Sequence, residues 1–176
     1  MVEALDTHDV GTPSAWITRW ACIVPRCGAV LDVACGSGRH ARWFAARGHR
    51  VDAVDRDPEA IASLAGVDRV APLCSDIENG PWPYAGRIYA AIVVANYLHR
   101  PLFPVLLDAL APGGVLLYET FAAGNERYGR PRNPAFLLQP GELLEIVRGR
   151  LRVVAYEDVE LGEPRPACVQ RICALR

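Results

Sequence analysis

At 176 residues, with 51% hydrophobic residues and a formal net charge of −1, the chain has room for one substantial core and little left for a second. No apolar run approaches the roughly 20 residues of a membrane span, and the near-neutral balance advertises no broad nucleic-acid footprint. Every permanently positive side chain is arginine, which excludes lysine chemistry of the Schiff-base or P-loop kind.

The stretch Met1 to Pro13 is acidic and lacks the apolar region of a signal peptide. The six cysteines form no close C-x-x-C pair and read mostly as small buried hydrophobes in a reducing, cytoplasmic compartment. Thr12-Pro13 predicts a helix start, with Trp16, Ile17, Trp20, Ala21 and Val24 on one apolar face and Pro25 as its stop. That helix either packs over a sheet edge or closes a ligand site as a lid, with Arg19 reaching a ligand carboxylate.

Ala29 to Ala34 reads as a buried strand, followed at once by the small-residue turn Cys35-Gly36-Ser37-Gly38. A helical pattern through Ala41, Phe44 and Ala45 stops at Gly48, and a second strand, Arg50 to Val54, ends on Asp55. Strand, glycine turn, helix, strand and acid form the first unit of a nucleotide-binding α/β sheet. Glycines at 36 and 38 lack the Cβ atoms that keep a ligand off the backbone, and a strand-end acid accepts two hydrogen bonds from ribose hydroxyls. Close packing alone also uses small-residue turns, but the strand before and the acid after favour a nucleotide. Asp32 lies inside the first strand, where a charge is costly unless paired. A ligand ammonium would pair it, whereas a dinucleotide has no use for it.

Asp57-Pro58 predicts a helix through Leu64, and Arg69 to Leu73 a short strand ending near Asp76 and Ile77. Asn79 to Ala85 is a loop, and Ile88 to Ala95 is a buried strand ending in Asn96-Tyr97-Leu98-His99. A helix from Pro101 to Leu110, a tight turn at 111–114 and a strand from Val115 to Tyr118, or as far as Phe121, follow. The polar insert Ala122 to Pro134 lies at the carboxyl end of the sheet, where α/β proteins bind ligands. Its Arg127, Arg130 and Arg132 either clamp an anionic substrate or are simply solvated. Gln139-Pro140 starts a last helix, ending near Gly149, before two strands, Leu151 to Val159 and Ala167 to Leu175, that pair as a hairpin. No Ser-His-Asp or metal-ligand constellation is visible.

The pattern D-x-x-x-G-x-G at Asp32 to Gly38, followed by VDAVD at Val51 to Asp55, resembles motif I and the second-strand acid of class I S-adenosylmethionine-dependent methyltransferases. The resemblance runs from about Val30 onward. It implies a Rossmann-like, doubly wound, mostly parallel seven-stranded sheet with a C-terminal antiparallel hairpin. Residues 1–176 would form a single domain, with 1–25 as an amino-terminal lid or helix and 122–139 as a substrate-side insert. The implied cofactor is S-adenosylmethionine, leaving as S-adenosylhomocysteine. Its binding residues would be Asp32, Ala34, Cys35, Gly36 and Gly38 of the first unit, Asp55 and Arg56 after it, and Arg19 from the amino-terminal helix. Asp76 would meet the adenine amino group and Ile77 its ring, with Ala95 and Asn96 beside the methionine end.

Asn96 to His99 occupies the place of motif IV, but departs from the Asn-Pro-Pro-Tyr type, so methylation of a base amino group is not implied. If the acceptor loses a proton, the catalytic candidates by position are His99, Tyr97, Tyr118 and Tyr128. A histidine after a strand serves equally as a structural hydrogen-bonder, while its near-neutral pKa favours catalysis. Gly38 to Asp55 is similar to small-molecule methyltransferases related to tellurite-resistance and thiopurine enzymes, which implies a small-molecule acceptor. An RNA methyltransferase, a dinucleotide-dependent reductase and a catalytically silent ligand-binding module remain as alternatives.

Overall fold

The computed structural model describes residues 11–162 and 165–176. Part of the expected amino-terminal lid, 1–10, and part of the link before the last strand therefore lie outside the described residues. The seven strands are β1 (Val30–Val33), β2 (Val51–Asp55), β3 (Val70–Cys74), β4 (Tyr89–Ala95), β5 (Leu110–Phe121), β6 (Arg152–Leu161) and β7 (Ala167–Leu175). They form one sheet in the order β3-β2-β1-β4-β5-β7-β6. The first five are parallel to their neighbours, and β7 runs antiparallel between β5 and β6. The strand order reverses between β1 and β4, and ligands of open α/β sheets bind at the carboxyl ends beside such a reversal.

The central strands form where apolar runs are buried on both faces, whereas the edge strands β3 and β6 are half-buried or exposed. All four residues of β1 are buried, Asp32 included. One face is covered by α1 (Ala15–Trp20), α2 (Arg39–Ala45) and α3 (Pro58–Ala62), with Ile17, Phe44 and Leu64 packed into the cluster of Val30, Val93 and Leu117. The other carries α4 (Phe103–Asp108) and α5 (Glu142–Val147), whose Leu106 and Leu143 join Leu31, Ile92 and Leu116. Each such side chain, fully buried, contributes roughly 1.5–3 kcal/mol. Between β3 and β4 a loop replaces the covering helix. Its Trp82 and Tyr84 pack edge to face at 5.6 Å, and Tyr84 meets Tyr89 at 6.1 Å.

Three local expectations change. The first helix is capped by Ser14, whose Oγ accepts from the N–H groups of Trp16 and Ile17, and not by Thr12. The glycine-rich turn at 111–114 belongs to β5. Gly113 N–H donates to the Arg176 carbonyl and Arg176 N–H to the Gly114 carbonyl, both at 2.9 Å, so distant pairing draws the turn into the strand. Three of the six cysteines, Cys22, Cys27 and Cys74, are exposed. Among the described residues no helix is long and apolar enough to cross a membrane.

Candidate functional site

The carboxyl ends of the central strands open onto a cleft of about 400 Å³. Its floor is Ala34, Asp55 and Asn96; one wall is Ser75 to Glu78, and the other is Tyr97, Phe121, Pro131 and Phe136. Ala34 and Asn96 leave β1 and β4 in the left-handed region, at φ 51° and 57°. For a side chain with a Cβ that conformation costs about 1–2 kcal/mol. Hydrogen bonding just past the strands enforces it: Cys35 N–H donates to the Val54 carbonyl at 3.0 Å, and Asn96 N–H to the Glu119 carbonyl at 2.9 Å.

The glycine loop is tied to the acid of the second strand. Gly36 N–H donates to Asp55 Oδ2 at 2.8 Å, and Asp57 N–H to Asp55 Oδ1 at 3.0 Å. A carboxylate offers about four lone-pair positions, so two remain for a ligand. The two glycines do different work. A Cβ at Gly36 would meet nothing within 4 Å, whereas one at Gly38 would lie 2.5 Å from Leu64 Cδ2 in the core. Gly38 is therefore required by packing, and Gly36 is the one that leaves open space beside the loop.

Asp32 is 2% exposed, and its Oδ2 accepts from Ala41 N–H at 2.9 Å. Burial pushes its carboxyl up to about 7, against the lowering effects of that bond and of Arg39. It sits behind the loop and joins β1 to α2 through a backbone partner. Cys35 is buried beside it, its Sγ 3.4 Å from the Gly36 carbonyl oxygen. Burial and the nearby Asp32 and Asp55 carboxylates drive its thiol far above the ordinary range, which makes it an inert turn residue.

Residues 12–14 cross the start of α2. Ser14 N–H donates to His40 Nε2 at 3.1 Å, Ser14 Oγ to Glu119 at 2.7 Å, and Arg39 to the Thr12 carbonyl at 3.3 Å. Burial lowers the His40 pKa to about 4, so the ring is neutral and its Nε2 is the acceptor. Beyond this segment α1 turns away onto the sheet. Arg19 is exposed, stacked 5.2 Å from the Trp20 ring, and does not border the cleft, against expectation.

On the opposite wall Asp76 accepts from Glu78 N–H at 2.9 Å, Asn79 N–H at 3.1 Å and Asn79 Nδ2 at 2.9 Å. The Asn79 amide chiefly holds its carboxyl below the usual range. Ile77 beside it is buried, and Arg56 is exposed on the rim.

Three of the four expected catalytic side chains, Tyr118, Tyr97 and His99, separate. Tyr118 is buried, and its hydroxyl donates to the Tyr97 carbonyl at 2.7 Å, so it supports the cleft from behind and does not face it. Tyr97 lines the cleft, but its hydroxyl is buried with no hydrogen-bond partner among the described residues. Burial, with the Glu78 carboxylate adding to it, raises that hydroxyl well above the ordinary range. His99 stands behind the wall, Nδ1 3.9 Å from Glu78 Oε2, and Glu78 is the member of the pair that borders the cleft. Ala95 lies one residue behind the Asn96 floor, outside the lining.

The insert is anchored. Asn125 is buried, its Oδ1 accepting from Cys168 N–H at 3.2 Å, and Arg127 pairs with Glu160 at 2.9 Å while the Tyr128 hydroxyl bonds the same carboxylate. Arg127 is thus committed to β6, while Arg130 and Arg132 are exposed. Sequence reasoning missed Arg100. Its guanidinium donates to Glu142 at 2.6 and 2.9 Å, to the Ala135 carbonyl at 2.8 Å and to the Leu137 carbonyl at 3.0 Å. It also missed Phe121 and Phe136 as cleft residues. Phe121 was legible as the end of the fifth strand, but nothing local marks Phe136 or Arg100.

Residues 30–114 match the family described as a methyltransferase domain. A malonyl-[acyl-carrier protein] O-methyltransferase of Serratia marcescens is 31% identical over 144 residues, covering 79% of this chain and 51% of that protein. The chain thus spans about half the length of this curated relative. TehB from Haemophilus influenzae superposes with a TM-score of 0.74 over 91% of this chain and 61% of its own, at 20% identity. A Burkholderia thailandensis 1,6-didemethyltoxoflavin-N1-methyltransferase, solved with 1,6-didemethyltoxoflavin and S-adenosylhomocysteine bound, gives 0.65 over 97% and 79% at 21% identity. At these identities the two solved structures establish the shared fold.

Proposed function

We propose that the chain is a class I S-adenosylmethionine-dependent methyltransferase that methylates a small-molecule acceptor in the cleft at the ends of β1, β2, β4 and β5, a reading supported by the methyltransferase-domain match and the O-methyltransferase relative. One observation carries the reading. Gly36 is fixed to Asp55 through its N–H, faces open space where a Cβ would stand, and adjoins a carboxylate with lone pairs to spare. That cradle fits a nucleoside whose ribose hydroxyls donate to Asp55.

When bound, S-adenosylmethionine supplies a methyl carbon already activated for in-line displacement by the adjacent positive charge. The chain therefore needs no covalent nucleophile, and its work is orientation and exclusion of water. Asp55 holds the ribose, Asp76 and Ile77 take the edge and face of the adenine, and the backbone at Ala34 and Asn96 borders the amino-acid end. Asp32 acts at one remove, fixing the loop through Ala41. For an acceptor that must lose a proton, Glu78 is the acid-base group on the wall, with His99 Nδ1 3.9 Å from its carboxylate. In this reading residues 1–176 work as one cytoplasmic domain, with 122–139 on the acceptor side.

Titration calorimetry with S-adenosylhomocysteine and with NAD tests the cofactor, and methyl transfer over a metabolite panel tests the activity. We expect the first ligand to bind and NAD not to. Binding of NAD in preference would replace the reading with that of a reductase, and cofactor binding with no methylated product would leave a ligand-binding module.

A further inference from the structure

We infer that the insert side of the cleft is the acceptor subsite and that it takes a planar ring compound carrying no negative charge. The inference rests on the methyltransferase reading and adds the substrate class to it. Away from Asp55 and Asp76 the cleft is walled by Tyr97, Leu98, Phe121, Pro131 and Phe136, an apolar group with three aromatic rings. Phe136 is 52% exposed, so no part of the core uses its ring.

The backbone that carries that ring is nevertheless held in place. Arg100 grips the carbonyls of Ala135 and Leu137, one on each side of Phe136, at 2.8 and 3.0 Å. The same guanidinium is forked onto Glu142, and Glu142 Oε2 also accepts from Gln139 N–H at 2.7 Å. Arg100 directly follows the Asn96 to His99 segment, so one side chain ties that segment to the backbone around Phe136 within the same wall. Fixed aromatic faces recognise flat rings by stacking and apolar burial, at little cost in side-chain freedom.

Charge narrows the class. Asp55, Asp76 and Glu78 border the same cleft, and Arg56 is the one basic residue among its described lining. Of the insert arginines, Arg127 is bound to Glu160, while Arg130 and Arg132 are exposed and are not among the lining residues. An anion entering here would lose its hydration against a wall of net negative charge.

Two probes with the same ring separate these terms: 2-naphthol, uncharged at neutral pH, and 2-naphthoate. Each is titrated into the full chain saturated with S-adenosylhomocysteine, after the affinity for S-adenosylhomocysteine has itself been measured. We expect saturable binding of 2-naphthol, with 2-naphthoate at least about tenfold weaker. Phe136→Ala should weaken 2-naphthol by about fivefold or more through the lost ring contact, with S-adenosylhomocysteine affinity and melting temperature unchanged. Arg100→Gln should weaken 2-naphthol similarly while the cofactor site is retained. Equal or tighter binding of 2-naphthoate, no saturable binding of 2-naphthol, or an unaltered Phe136→Ala variant would each overturn the inference while leaving the methyltransferase reading intact. Failure of wild-type protein to bind S-adenosylhomocysteine would instead bring down that reading, and the acceptor assignment with it.

Discussion

Alanine at Gly36 and alanine at Gly38 should fail in opposite ways, although the two positions are two residues apart in one turn. Both glycines have positive φ, 54° and 76°, so either substitution places a Cβ in the left-handed region at about 1–2 kcal/mol. There the likeness ends. At Gly38 the new Cβ would lie 2.5 Å from Leu64 Cδ2 and 2.8 Å from Cδ1, and Leu64 is fully buried under α3. Forcing a methyl into a filled core costs about 1–3 kcal/mol more, bringing Gly38→Ala to roughly 2–5 kcal/mol. That is a large part of the 5–15 kcal/mol typical of a whole domain.

At Gly36 the Cβ enters open space, so only the backbone term applies, and the methyl stands where the cofactor backbone approach is proposed. Urea denaturation should therefore show Gly36→Ala down by about 1–2 kcal/mol and Gly38→Ala down by more. Calorimetry on the folded fraction should show the reverse order, with S-adenosylhomocysteine affinity lost at Gly36→Ala and largely retained at Gly38→Ala. Equal stability losses, or wild-type cofactor affinity in Gly36→Ala, would refute the assignment of packing to one glycine and ligand approach to the other.

Asp55→Ala removes a charged acceptor worth roughly 1.5–3 kcal/mol per hydrogen bond, so the S-adenosylhomocysteine Kd should rise at least about tenfold; an unchanged Kd takes Asp55 out of the site. Asp32 holds its proton to about 7 in the folded chain against 3.8, so its contribution is complete in acid and lost as pH rises to 7. Asp32→Asn should accordingly gain about 4 kcal/mol relative to wild type between pH 4 and 7. His40 runs the other way, about 4 against 6.5, with stability lost as pH falls through that window. His40→Asn should then gain about 3 kcal/mol relative to wild type from pH 6.5 to 4; a parallel pH profile in either variant would mean that the side chain does not titrate as described.

What could be read from the sequence follows the range of the forces involved. The strands were legible because a strand buried on both faces must be a short continuous apolar run, as in Val30 to Val33 and Tyr89 to Ala95. The loop between Asp32 and Asp55 was legible because its chemistry is local. Tyr118 was misplaced although period-two alternation contains the answer. Val115 and Leu117 belong to the α1–α3 face, so Leu116 and Tyr118 must point under α4 and α5 and away from the strand ends. The turn at 111–114 was misread because its decisive partner is Arg176. Arg100 and Phe136 gave no signal at all, since their meaning lies in contacts 35 to 42 residues apart.

The two halves of the cleft are consequently built from different material. The proposed cofactor half is mostly backbone: Ala34 and Asn96 turned into the left-handed region, Gly36 N–H aimed at Asp55, and Cys35 N–H pinned to Val54. Its shape is fixed by ladder bonds that continue past β1 and β4, so few substitutions there leave both fold and geometry intact. The proposed acceptor half is side chains, with Phe121 at the end of β5 and Pro131 and Phe136 carried on a segment anchored at Asn125 and Arg100. Replacing a ring on that segment alters the wall without disturbing a strand or a strained residue. A rigid backbone cradle beside a separately anchored side-chain wall lets acceptor choice change while cofactor binding stays constant, which is how one fold serves unrelated substrates. For this chain it follows that substitutions at Pro131 and Phe136 should move acceptor affinity alone, that alanine at Gly36 should move cofactor affinity with a smaller loss of stability, and that alanine at Gly38 should move stability.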